Sequence, residues 1–172
     1  MSTETQLITP RRNFLIRAFG FTAAGATVAD PITTLADGSY VVCWVNFNAV
    51  YGVFFQRYAA DGSKLGGEVR ANTAGSTLQL SPDITATADG GFVIVWNDID
   101  TSAGYHVFGQ RFSAAGAKVG SQLDIDSALG SDSGYAPQVS GLIGGGFVTV
   151  WDTGTGVYRQ IINAAGVKVG SA

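Results

Sequence analysis

The sequence predicts an all-β chain of antiparallel four-stranded repeats, each about 50 residues long. Three observations lead there. First, a phrase ending in tryptophan occurs three times: Asp37-Gly38-Ser39-Tyr40-Val41-Val42-Cys43-Trp44, Asp89-Gly90-Gly91-Phe92-Val93-Ile94-Val95-Trp96 and Gly144-Gly145-Gly146-Phe147-Val148-Thr149-Val150-Trp151. Second, each phrase is followed by a related one: Phe54-Phe55-Gln56-Arg57-Tyr58, Phe108-Gly109-Gln110-Arg111-Phe112 and Tyr158-Arg159-Gln160-Ile161-Ile162. Third, each unit closes on a small-residue tail, at Asp61 to Gly66, Ala115 to Gly120 and Ala165 to Gly170. A period in this range marks stacked supersecondary units, and the blades of a β-propeller have this size.

Each element follows from local chemistry. A proline (Pro31, Pro82, Pro137) opens each unit and precedes a first strand. Asp37-Gly38, Asp89-Gly90 and Gly144-Gly145 then form hairpin turns, where glycine supplies a positive φ. The tryptophan strand comes next. Alternate residues point to opposite faces, so Tyr40, Val42 and Trp44 share one face and Val41 and Cys43 the other. Both faces are almost wholly apolar in every copy, Thr149 being polar in the third, which predicts a strand covered on both sides. A variable loop leads to the third strand, where Gln56, Gln110 and Gln160 are expected to bond to backbone inside the sheet, because a buried amide needs partners. A second turn and an outer strand complete the unit. The units run over about residues 31–80, 81–134 and 135–172. No outer strand can be drawn for the third, so the reading is propeller-like with about three blades, the last incomplete. Closing such a stack needs neighbouring repeats or other copies of the chain, and self-association into a homo-oligomer is expected.

Residues 1–29 do not share the repeat. Basic Arg11 and Arg12 precede a short apolar stretch, Ala18 to Val28, that ends in small residues. This is the order of an export signal, and the Arg11-Arg12-Asn13-Phe14-Leu15 run resembles a bacterial twin-arginine signal. The expected mature part is residues 30–172, periplasmic or extracellular. No segment has the roughly 18 apolar residues of a membrane span. A net charge of −3 gives no basic surface for nucleic acid. The single cysteine, Cys43, stands at the place of Val95 and Val150 and reads as a small buried hydrophobe.

The whole pattern, a proline, then Asp-Gly-Gly-Phe-Val-Val-x-Trp, Gln-Arg-Phe and Gly-x-x-Val-Gly, resembles repeats of large bacterial secreted proteins of the RTX type. The likeness covers roughly residues 31–170 and implies an architecture more than an activity. The calcium-binding nonapeptide that often accompanies such repeats, a Gly-Gly-x-Gly-x-Asp run, is absent from the chain.

The candidate ligand or metal residues are Asn46, Asn48, Asp98, Asp100 and Asp152, in the polar loops after the tryptophans. Carboxylates and amides clustered at one end of a blade stack can coordinate Ca2+ or hydrogen-bond sugar hydroxyls, whereas polar loops also arise simply from Asx turns in water. Asp124 to Gly134 reads as a solvated linker between units, though its spacing also resembles an incomplete calcium loop without the closing glutamate, and His106 reads as an isolated residue in a variable loop. Trp44, Trp96 and Trp151 read as repeat core, because Tyr40, Phe92 and Phe147 share their faces. No nucleophile elbow, phosphate-cradling loop or HExxH is present, no cofactor is expected, and a non-enzymatic chain is predicted. The function expected is an exported, non-catalytic module for binding or assembly. A lectin-like propeller formed by oligomerisation, binding a glycan, and a structural segment of a larger adhesin or toxin array are the alternatives.

Overall fold

The computed structural model describes residues 31–46, 52–73, 78–100, 104–127 and 135–171. They form three antiparallel four-stranded sheets in chain order. The first contains β1 (Ile32–Thr34), β2 (Tyr40–Asn46), β3 (Gly52–Tyr58) and β4 (Lys64–Arg70). The second contains β5 (Leu78–Ala86), β6 (Phe92–Asp100), β7 (Gly104–Phe112) and β8 (Lys118–Asp124). The third contains β9 (Tyr135–Gly141), β10 (Phe147–Asp152), β11 (Val157–Ile162) and β12 (Lys168–Val169). Each is a meander, and the all-β, propeller-like architecture is the one expected. The expected N-terminal signal, with Arg11 and Arg12, lies outside the described residues, as does Asn48. Among the described residues no helix is long and apolar enough to cross a membrane.

The third sheet does have its outer strand. The tail Lys64-Leu65-Gly66 is itself the start of β4, pairing Tyr58 with Lys64, and Lys168-Val169 pairs Ile162 and Ile161 in the same way. The prolines also sit differently from the expectation. Pro82 and Pro137 lie inside β5 and β9 rather than before them. Each follows a residue of positive φ (Ser81 at 48°, Ala136 at 47°), and the β5–β6 register shifts between Leu80 and Asp83. An irregular ladder releases the proline from donating a hydrogen bond there.

The hairpins share one closure. Leu35 N donates to Ser39 O and Gly38 N to Leu35 O, and the pattern repeats at Thr87/Gly91, Leu142/Gly146, Ala59/Ser63, Ser113/Ala117 and Asn163/Val167. This is a three-residue loop whose last position takes positive φ, filled by Gly38 (82°), Gly90 (83°) or Gly145 (85°). The tail glycine that recurs in each repeat has a second use. The β3–β4 and β7–β8 registers shift beside Gln56 and Gln110, where Gly66 and Gly120 take φ of 75° and 70°. The glutamine fills the irregularity: Gln110 Nε2 donates to the carbonyls of Arg111 (3.0 Å), Val119 (3.3 Å) and Gly120 (3.3 Å). Gln56 reaches Arg57, Leu65 and Gly66, and Gln160 reaches Ile161 and Val169.

The sheets pack face to face in sequence. The forward face of the first (Val41, Cys43, Val53, Phe55) meets the rear face of the second (Phe92, Ile94, Trp96, Phe112) in one core cluster. Phe55 lies 5.2 Å from Phe92 and 4.8 Å from Phe112, ring to ring, and such pairs add about 0.5–1.5 kcal/mol each beyond burial. The forward face of the second sheet (Val93, Val95, Val107) meets the rear face of the third (Phe147, Trp151, Ile162) in the other. Expected burial on both faces therefore holds for the middle sheet only. Phe92 to Trp96 are all fully buried, but Val150 on the third sheet's forward face is 38% exposed. A terminal sheet has a neighbour within the described chain on one side alone.

The innermost strands are tied across the junctions. Ala86 N donates to Thr33 Oγ1 (3.0 Å), and at the equivalent place in the next junction Gly141 N donates to Thr85 Oγ1 (3.3 Å). At Gly141 an added Cβ would meet Ala86 O at 2.4 Å, so a glycine sets this approach. Farther out, Arg57 reaches over the first junction to donate to Ala115 O (2.8 Å), and its chain lies 3.0 Å from where a Cβ on Gly116 would stand.

Candidate functional site

The candidates do not form one ring of loops. Asn46, Asp98 and Asp100 end the tryptophan strands instead of lying beyond them. The long second hairpin pairs Asp98 with His106 and Asp100 with Gly104. Asp152 ends β10, is exposed and accepts the amide of Gly154, which makes it the anchor of an Asx turn. The tryptophans are packed in: Trp96 is 0%, Trp151 2% and Trp44 9% exposed.

At the end of the second sheet the fold gathers residues that the linear reading kept apart. His106 is on β7, not in a loop, and cross-strand partners share a face, so Gln79, Asp98 and His106 stand in a row across β5, β6 and β7. Gln79 Nε2 donates to Asp98 Oδ2 (3.1 Å). His106 Nδ1 lies 3.6 Å from Asp126 Oδ1, with the imidazole 23% and the carboxyl 0% exposed. Asp126 is thus no solvated linker residue. The chain turns inward just after β8, with Ile125 N donating to Val107 O, and this carries Asp126 beneath the sheet end.

The first sheet supplies a control for this arrangement. Aligned on Gln56 and Gln110, Gly52 stands where His106 does and Asn72 where Asp126 does, and aligned on the tryptophans Asn46 stands where Asp98 does. Asn72 is satisfied: Oδ1 accepts from Val53 N (3.0 Å) and Nδ2 donates to Thr73 O (2.9 Å). A Cβ on Gly52 would meet Asn72 Oδ1 at 2.8 Å, so position 52 faces position 72 as 106 faces 126. The third sheet has Thr153 and Gly156 at the places of Asp98 and His106. Among the described residues the charged version occurs in the middle sheet alone.

Its electrostatics are costly. Neither Asp126 oxygen has a hydrogen-bond partner. Burial raises the Asp126 pKa above the usual aspartate value and Asp124 adds to the rise, while the Val107 amide and His106 oppose it without reaching hydrogen-bond geometry. A buried carboxyl thus stands beside an imidazole that is 23% exposed, close enough for charge attraction but beyond hydrogen-bond length. Nδ1 is the ring nitrogen on the Asp126 side. Phe108, on the same face, lies 6.3 Å from the His106 ring. What this sheet end offers outward is the partly exposed imidazole with Phe108 as an apolar flank, because Asp126 and Asp98 Oδ1 are buried and Asp98 Oδ2 is bonded to Gln79. Among the described residues no three His, Cys, Asp or Glu side chains converge as a metal site.

A groove elsewhere, between the outer parts of the first two sheets, is lined by Phe55, Arg57, Leu65, Val69 and Ala115. Its one charged group is already committed to Ala115 O, and none of the sequence candidates reaches it. It lacks the convergent polar groups of a ligand site.

No family model matches the chain, and no curated protein is similar to it. Among solved structures it is similar to the crystal structure of endo-arabinase from Bacteroides thetaiotaomicron VPI-5482, at 14% identity and a TM-score of 0.40. The match covers 72% of this chain and 50% of that one, so the chain spans half the length of that enzyme. The expectation of a non-enzymatic chain is corrected here, because this structural neighbour is an enzyme. That expectation rested on missing linear motifs, and a sheet end can assemble carboxylates and a histidine that no linear motif joins.

Proposed function

We propose that this chain is an exported β-repeat module that binds carbohydrate at the end of its middle sheet. His106 is the ligand-facing group, and Asp126 is the buried carboxyl beside it, with Asp98 next to the ring, its Oδ1 buried and its Oδ2 bonded to Gln79. The observation that carries the reading is the unsatisfied Asp126 carboxylate behind His106, at a position where the first sheet has a fully bonded asparagine. A fold that keeps such a group forgoes stability, and perturbed buried carboxyls concentrate at functional sites. Neutral sugars suit the site better than anions, given its two aspartates and the chain's net charge of −3.

The test is calorimetric titration of the full chain with a panel of neutral and acidic oligosaccharides. A neutral glycan is expected to bind, His106→Ala to abolish binding, and Asp126→Asn to weaken it although the variant is folded. Chromatography of the same mixtures reads whether the glycan is cut. Silence across the panel, or binding indifferent to His106→Ala, would overturn the proposal. Export is tested separately, by N-terminal sequencing of protein recovered outside the cytoplasm; a start near Asp30 is expected, and an intact Met1 or Ser2 would refute it.

A further inference from the structure

We infer that copies of this chain stack head to tail, the forward face of the third sheet on the rear face of the first sheet of another copy. The occupant is argued from the chain's own junctions. Forward face meets rear face twice, with matching residues and a matching hydrogen bond. The third sheet repeats the forward half of this pattern. Val148 and Val150 stand where Val41 and Cys43 do, and Ile161 stands where Arg57 and Arg111 do, with Arg159 at the place of Phe55. Val150, Val157 and Val169 on this face are 38%, 76% and 47% exposed.

The first sheet repeats the rear half. Tyr40 and Val42 stand where Phe92 and Ile94 are fully buried, yet both are only half-buried. Ile32, at the place of buried Ile84, is 56% exposed. The junction hydrogen bond also has both its halves waiting. Ser140 is the third member of the Thr33, Thr85 series, and Thr34 precedes Ala86 and Gly141 in the series of amide donors; both are exposed. Face contacts of this heterologous kind close into a ring when the rotation permits. Two copies would give six sheets, within the usual range of about 4–8 for a ring, whereas three copies would exceed it. The inference stands on the junctions alone and is independent of the His106 site.

Light scattering across a dilution series of the full chain tests it. A dimer of twice the 17.8 kDa chain mass is expected. Val157→Asp and Ile32→Asp, on opposite ends of the stack, should each give monomer, and mixing the two should restore association through the one junction left intact. Ser140→Ala removes one hydrogen bond from each of the two junctions and should raise the dissociation constant roughly thirtyfold. Both charged positions are exposed, so the far-ultraviolet circular dichroism of the parent is expected; if either variant unfolds, Val169→Asp and Thr34→Lys probe the same two faces. A parent that stays monomeric refutes the inference. So does dissociation by only one of the two variants, which would mean a face pairing with its own copy.

Discussion

Replacing Asp126 by asparagine is expected to stabilise the protein. The carboxyl is fully buried and both its oxygens lack hydrogen-bond partners, whereas Asn72 at the matching place makes three hydrogen bonds, accepting from Val53 N and Arg70 Nε and donating to Thr73 O. An unsatisfied buried polar group costs about 1–3 kcal/mol and a charged one more, so Asp126→Asn should gain about 1–3 kcal/mol at neutral pH. For a chain of 172 residues this is a rise in Tm of about 2–4 °C per kcal/mol. The gain should depend on pH with a fixed sign. Burial raises the folded-state pKa of Asp126 above its unfolded value, so folding favours the protonated form. The parent's relative stability is then greatest below the ordinary aspartate range and is lost as pH rises through the raised pKa. Urea unfolding of both proteins between pH 4 and 8 should show the advantage of the asparagine shrinking toward the acid end. An Asp126→Asn protein less stable than its parent at neutral pH would refute the reasoning, because it would mean that pairing with His106 outweighs desolvation.

Other expectations concern the frame. Gln110→Leu removes the donor serving three carbonyls and should cost about 1–3 kcal/mol, read by urea unfolding. Gly141→Ala should cost more than about 2 kcal/mol, since its Cβ would meet the Ala86 carbonyl at 2.4 Å and force the second and third sheets apart; a Tm unchanged within error would count against the close approach. Asp89 behaves oppositely to Asp126: the Thr87 hydroxyl, then the Gly91 amide and Arg111, lower its pKa. Its contribution is present above the ordinary aspartate range and lost as pH falls through the lowered value, so Asp89→Asn should flatten the acid limb of the stability profile.

The repeat in the sequence carried the architecture because it exposes short-range rules. Glycine at a positive-φ turn, alternation along Tyr40 to Trp44 and the amide of Gln56 are local requirements, and each recurs where the same local problem recurs. The outer strand of the third sheet was missed because β12 is two residues long and lies in the tail itself. The inward turn after β8, which converts Asp126 from a linker residue into a buried carboxyl, leaves little trace in composition. A comparison of the copies position by position, Asn46 with Asp98, Gly52 with His106 and Asn72 with Asp126, was the signal available. Strand pairing brings residues dozens apart to within a few ångströms, and burial then decides whether a charge is cheap or costly. The sequence alone determined the period, the strands and their faces, since these depend on neighbours along the chain. Only the tertiary structure decided which faces are covered and where His106 meets Asp126, since those depend on neighbours in space.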